Sequence, residues 1–291
     1  TLERLEITST GVTDAGGVAL GNLTRLKTLN LRGTSVGDRT VAAIRELPEL
    51  AHLDLEGTAV TDACLPALQQ MRHLAELNLD GTRVRNVALR GLPELCRLDL
   101  PQDMDTIDLA DLPELQSFRG MFFRPSVQTI RFHILPKLKY LYVIRPKLQR
   151  LSLGGLPRLE VLAIYDSAIG NDALADIGKL HSLKFLALGQ CRGITDGGMA
   201  QLYALRLESL YLHELAVTSA ILPELLDSPT LKKIGLHGIQ LGDELKLVAR
   251  RRSQLQELNL NQDGLRHLRI EGFSQLSKLE LAGNSLESVE L

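Results

Sequence analysis

The chain has 291 residues, a formal net charge of -2 and 62 leucines, about one residue in five. Its apolar content excludes a disordered chain, and its modest glycine and proline content excludes a collagen-like or low-complexity one. No run of 18 apolar residues is available to cross a membrane, Thr1-Leu2-Glu3-Arg4 does not read as a signal peptide, and the near-neutral charge offers no field for nucleic acid. Cys64, Cys96 and Cys191 are too few and too scattered for a disulfide framework. Read as reduced thiols, they point to the cytoplasm or to delivery into a host cytoplasm.

The dominant signal is an internal repeat. The string L-x-x-L-x-L, with occasional apolar replacements, begins at Leu2, Leu26, Leu50, Leu74, Leu95, Leu115, Leu138, Leu159, Leu183, Leu207, Leu231, Leu255 and Leu276, at spacings of 20 to 24 residues. Its alternating part predicts a short strand with leucines inward and the x residues outward. One unit cannot bury its own apolar face, so neighbours must stack and their strands must form a parallel sheet. The expected fold is an α/β solenoid, a curved horseshoe with a concave parallel β-sheet and a convex side that is partly helical and partly extended. It is expected to be a single domain over 1–291, of about 13 repeats, and part of a longer chain.

In chain order, the return paths alternate in kind. Val12-Thr13-Asp14, Val36-Gly37-Asp38 and Val60-Thr61-Asp62 open helix-length stretches, with Asp as the expected N-cap. From about residue 84 to 158 the units shorten and the return reads as extended, as in Val87-Ala88-Leu89 before Leu92-Pro93. Helical returns are expected again to about residue 253, with Ile194-Thr195-Asp196 and Leu241-Gly242-Asp243 as starts and Arg250-Arg251-Arg252 as a solvated helix end. The last returns read as extended. Helices are bulkier than extended segments, so curvature is expected to tighten in the helical stretches. At the position after each strand where Asn is the usual residue of such repeats stand Thr10, Thr34, Thr58, Thr82, Ser167 and Cys191, and only Asn284 has the amide. A hydroxyl ladder is expected to take over part of the amide's role.

These residues resemble the leucine-rich-repeat family. Gln190-Cys191-Arg192-Gly193-Ile194-Thr195-Asp196-Gly197-Gly198 is similar to repeats of the ribonuclease-inhibitor-like and cysteine-containing F-box types, here mixed with shorter repeats. The resemblance implies a protein-interaction module without catalysis of its own. Similar arrays serve as substrate-recruiting arms of larger enzymes or effectors, such as ubiquitin-ligase-type proteins and bacterial effectors.

On such a scaffold the outward x residues carry function. The early units set out acids, among them Asp54, Glu56, Glu76 and Asp80. Of eleven aromatic residues, ten lie between Phe118 and Tyr211, and Tyr140, Tyr142, Tyr165, Phe185 and Tyr211 fall at outward positions, with Met121, Ile144 and His213 beside them. Exposed aromatics and Met are enriched at interface cores. The expected site therefore binds a partner protein, with a basic and apolar segment, on the concave face. Phe118, Phe122, Phe123 and Phe132 are expected to fill space instead. No catalytic set is expected: Cys191 and Cys96 have no paired His. His213 and His237 are equivalent in adjacent units, but only Glu214 offers a third donor, so no metal and no cofactor are expected.

Overall fold

Period-two alternation does what it must: within each long sheet the described L-x-x-L-x-L segments are strands, and their registers run parallel with apolar residue beside apolar residue. The computed structural model describes residues 1–119, 127–144, 148, 150–249 and 253–291, with the backbone alone for 117–119 and 150. Met121, Phe122, Phe123 and Arg250 to Arg252 thus lie outside the described residues. The chain divides into two compact units, Thr1–Tyr140 with Leu151–Pro157, and Leu141–Arg150 with Arg158–Leu291. In both, the architecture is an α/β solenoid of parallel strands.

In the first unit, Arg4–Glu6, Thr28–Asn30, His52–Asp54, Glu76–Asn78, Arg97–Asp99 and Ser117–Arg119 form a six-stranded sheet in chain order. The register sets Leu5, Leu29, Leu53, Leu77 and Leu98 side by side, and the last four are almost wholly buried. A buried leucine contributes about 1.5–3 kcal/mol relative to exposure, so the stacked column is the core. The returns are short helices at Asp14–Gly17, Asp38–Ile44 and Leu65–Leu68. Beyond them Asn86–Arg90, Thr106–Ala110 and Thr129–His133, joined by Arg150–Ser152, make a second parallel sheet. The change falls where the return sequence alternates, as in Asn86-Val87-Ala88-Leu89-Arg90, with Val87 and Leu89 buried. Phe132 is fully buried in this second sheet, the space-filling role expected of it.

The second unit repeats the plan. Its longer sheet runs from Tyr140–Ile144, which enters the unit at Leu141, through Val161–Tyr165, Phe185–Gly189, Ser209–His213, Lys233–His237 and Glu257–Asn261 to Lys278–Glu280. Helices Asn171–Ile177, Asp196–Met199 and Leu222–Leu226 form the returns, followed by a three-stranded sheet of Glu244–Val248, His267–Glu271 and Ser288–Glu290. The helix expected after Asp243 is therefore a strand. Leu245 and Leu247 are buried while Glu244, Lys246 and Val248 are exposed, a period of two that a helix cannot present. Gly242, at φ +85°, turns the chain there in the left-handed region, outside the extended conformation of a helix N-cap.

Asp at the helix starts acts differently from the expected N-cap. The cap position is the residue before it: the Thr13 and Thr61 hydroxyls accept from Ala15 and Ala63 N–H, as the Thr218 hydroxyl, before Ser219, accepts from Ala220 N–H. The Asp carboxylate instead reaches into the next repeat. Asp14 Oδ1 accepts from the Gly37 and Thr40 amides and the Thr40 hydroxyl at 2.8, 3.0 and 2.6 Å. Asp38 takes the Thr61 amide and hydroxyl, Asp62 the Arg85 and Asn86 amides, and Asp196 the Thr218 amide and hydroxyl. These bonds hold the Asp14 and Asp62 carboxyls below the usual range against the upward pull of their burial.

The threonines do not form a ladder between repeats. Thr34, Thr58 and Thr82 each donate to the carbonyl three residues back in their own repeat, at 2.7 Å. A hydroxyl satisfies that turn but is too short to reach further. Asn284 does reach: its amide donates to Leu260 and Leu281, and its oxygen accepts from Asp263 and Leu265 N–H. Asp263 fills the same position one repeat earlier and is 7% exposed, with Oδ1 accepting from Ile239 N–H and Oδ2 buried without a partner. Burial pushes its carboxyl up to about 6, opposed by the Ile239 amide and by His237.

Two outcomes are expected. Asp38→Ala leaves the Thr61 amide and hydroxyl without their partner and lowers stability by about 1–3 kcal/mol, read as a shift of the urea midpoint. The folded state holds the Asp263 proton more tightly than the unfolded chain, whose carboxyl titrates near 3.8. Stability from this residue is therefore present below pH 4 and falls as the pH rises towards 6. Asp263→Asn raises the melting temperature above pH 7 and leaves it unchanged or lower near pH 4, as measured by calorimetry at both pH values.

Candidate functional site

The outward residues of the longer sheets fall into columns that the strand register defines. In the first unit one column is Arg4, Thr28, His52, Glu76 and Arg97, and the next is Glu6, Asn30, Asp54, Asn78 and Asp99. His52, Asp54, Glu76, Asn78, Arg97 and Asp99 line a shallow polar depression. The acids here are largely engaged. Glu76 lies 3.7 Å from the His52 ring, Glu56 pairs with Arg32 at 2.9 Å and accepts from the Asn78 amide, and Asp99 pairs with Arg97. Asp54 and Asp80 each accept a nearby turn amide, from Glu56 and Gly81. Their charge is spent on turns and local pairs.

In the second unit the columns are Val161, Phe185, Ser209, Lys233, Glu257 and Lys278, then Ala163, Ala187, Tyr211, Gly235, Asn259 and Glu280, then Tyr165, Gly189, His213, His237 and Asn261. Tyr165, Phe185, Tyr211 and His213 are half-buried. The two tyrosines recline on the sheet. A Cβ placed on Gly189 would meet Tyr165 Cδ1 at 2.3 Å, and one on Gly235 would meet Tyr211 Cδ1 at 2.4 Å. Each ring thus covers the gap that a glycine leaves on the next strand, protecting backbone that no side chain shields. Phe185 packs against Tyr211 with ring centroids 5.4 Å apart. Burial and the nearby Tyr211 push the Tyr165 phenol above its ordinary value.

Polar groups frame this aromatic strip. Lys233 pairs with Glu257 at 2.8 Å and Lys278 with Glu280 at 2.7 Å, raising both lysines and lowering Glu257. On the other side, His213 and His237 meet edge to face at 4.5 Å, and His213 Nε2 lies 2.9 Å from Glu214 Oε1. Cys64 and Cys191 are buried thiols and poor nucleophiles. Burial pushes the Cys64 thiol up to about 12 and the Cys191 thiol up to about 11, and Cys191 donates to the Gly189 carbonyl.

Of the residues expected to bind a partner, Tyr165, Phe185, Tyr211 and His213 come together on adjacent strands, with Tyr142 and Ile144 half-buried at the first strand of the same sheet. Tyr140, half exposed, belongs to the first unit, as do Asp54, Glu56, Glu76 and Asp80. Met121 lies outside the described residues. Sequence reasoning missed Gly189 and Gly235, although writing the x residues in register places each glycine beside its tyrosine.

The chain has the leucine-rich-repeat fold. Residues 1–21 match the family model described as Leucine Rich repeat. Among solved structures it is similar to an internalin, inlF, from Listeria monocytogenes, with TM-score 0.55 and 19% identity over 100% of this chain and 87% of that one. It is also similar to the functional domain of InlJ from Listeria monocytogenes, with TM-score 0.54 and 15% identity over 99% of this chain and 64% of that one. A third likeness is to TLR13 in complex with ssRNA13, with TM-score 0.50 and 18% identity over 99% of this chain and 50% of that one. No curated protein is detectably similar in sequence. Among the described residues, no helix is long and apolar enough to cross a membrane.

The tyrosine–glycine pairing has a measurable consequence. Gly→Ala in a strand ordinarily gains about 0.5–1 kcal/mol, but Gly235→Ala is expected to destabilise by about 1–3 kcal/mol because the new methyl displaces the Tyr211 ring. In a double-mutant cycle, Tyr211→Ala removes that penalty, and a coupling energy near zero in chemical denaturation contradicts the pairing.

Proposed function

We propose that the chain is a protein-recognition module, without catalysis of its own, whose contact surface is the outward face of the second unit's longer sheet. Tyr165, Phe185, Tyr211 and His213 form its centre, and Tyr142 and Ile144 extend it. One observation carries the reading: the half-buried Tyr165 and Tyr211 rings cover Gly189 and Gly235, with the small Ala163 and Ala187 in the same column as Tyr211, making an apolar strip flanked by charge pairs. Rigid aromatics with few rotatable bonds lose little entropy on contact, which suits a hot spot inside a polar rim. The partner is a protein segment with apolar side chains that fit the strip.

The repeat fold is shared with internalins and with TLR13, and the TLR13 structure is a complex with ssRNA. A protein is the better fit here. Lys233 and Lys278, on the strip's border, are already paired with Glu257 and Glu280 and give phosphates no open row of cations.

Tyr142→Glu/Tyr211→Glu is expected to weaken partner capture at least about tenfold, since loss of a hot-spot aromatic costs about 2 kcal/mol or more. The melting profile shifts by only a few degrees. Crosslinking pull-down with mass spectrometry, wild type beside the double variant, checks it. Capture that survives the substitutions overturns the site, and tight binding of single-stranded RNA near 0.15 M salt overturns the class of partner.

A further inference from the structure

The third column of the second unit carries a histidine pair, one of which, His213, also belongs to the proposed contact surface. His213 and His237 stand on adjacent parallel strands in direct register, and Glu214 follows immediately after the first of them. Sequence reasoning set this pair aside because only Glu214 offered a third donor. Alternation along a strand would turn Glu214 away from His213, and the structure reverses that direction. Glu214 has φ +47°, a left-handed conformation that ends the strand and swings its side chain back towards the histidine rings. The neighbouring repeat makes room: Gly238 occupies the equivalent turn position, and a Cβ there would meet Glu214 Cγ at 3.0 Å. One donor atom from each of His213, Glu214 and His237 then lies within 4.8 Å of the other two.

We propose that His213, His237 and Glu214 form a binding site for a divalent transition-metal ion of the zinc class. Two imidazoles and one carboxylate suit zinc and its neighbours, whereas magnesium and calcium prefer sets made of oxygen alone. A tetrahedral ion with bonds of about 2.0–2.1 Å holds its donors a little over 3 Å apart, so the set closes by rotation of exposed side chains. Glu214 is prepared for the task. The Gln190 amide donates to its Oε2 at 3.1 Å and His213 meets its Oε1, which together hold the carboxyl below the usual range and fix its position. The ion takes the place of the contact between His213 Nε2 and Glu214 Oε1. Three protein donors leave the fourth position to water or to a donor from a docked molecule. The site stands without the partner-binding proposal, because it needs no second protein.

The test uses the full chain, stripped of metal and free of any histidine tag. Co²⁺ alone is titrated and followed by its visible absorption, and Zn²⁺ alone is titrated by calorimetry with Mg²⁺ as the control. One Co²⁺ per chain, displaced by Zn²⁺ and untouched by Mg²⁺, is expected. His213→Ala and His237→Ala each weaken Zn²⁺ binding by at least about tenfold, and Glu214→Gln also weakens it. All three side chains are partly exposed, so the circular-dichroism melting curves stay close to wild type. A measurement on the unaltered chain guards against misfolded variants: one equivalent of Zn²⁺ shifts the ring signals of two of the seven histidines in a nitrogen-15 correlation spectrum. Absence of stoichiometric Zn²⁺ binding at about 0.1 mM overturns the site, as does binding that neither histidine substitution changes or zinc shifts spread over all seven rings.

Discussion

Everything in this protein depends on one repeat settling on the next with its strand in register. Among the described residues, most repeats enter their strand by placing two successive amides on a single carbonyl of the repeat before. Ala51 and His52 both donate to Lys27, Ala75 and Glu76 to Ala51, and Lys232 and Lys233 to Glu208. That junction sets leucine beside leucine, and only then does the apolar column close against water. A slip of one residue would turn the leucines to solvent and the charged residues into the core. On the return side the Asp carboxylates of one repeat receive the amides of the next, so the same stacking is secured at both edges by different chemistry.

This arrangement frees the outward side chains from stabilising duty over most of the longer sheets. The tyrosine–glycine pairs are an exception, since Tyr165 and Tyr211 cover backbone exposed by Gly189 and Gly235. An aromatic ring held flat by its neighbour is ordered before any partner arrives, which lowers the entropic cost of contact. The same rings therefore serve the sheet and the proposed surface together. The charged columns behave differently: their acids and bases sit opposite each other across strands, and exposed pairs of this kind contribute little to stability.

The turns after the strands give the face its second layer of chemistry. Asp166, Gln190, Glu214, Gly238 and Gln262 occupy equivalent positions, all with positive φ. Side chains there fold back along the rim of the sheet rather than continuing the strand's alternation. Glu214 meets His213 for this reason, and Gln190 steadies it from the preceding repeat.

Much of the fold was legible in the residues alone. The leucine period determined the parallel stacking, the buried columns and the outward set containing Tyr165, Phe185, Tyr211 and His213, because the chemistry of a strand alternates at fixed spacing. The extended returns near Val87 were legible for the same reason. The strand after Asp243 was misread, since an Asp that opens a helix elsewhere was weighed above the alternation of Glu244 to Val248. Tertiary structure alone decided that the helix-start Asp bonds the following repeat, that Thr34 and Thr58 bond only within their own, and that the tyrosines lie flat. It also decided that Glu214 turns towards the two histidines. Each of these depends on distance and direction between repeats about 24 residues apart, and a pattern along one chain fixes which residues are neighbours without fixing which way their side chains point.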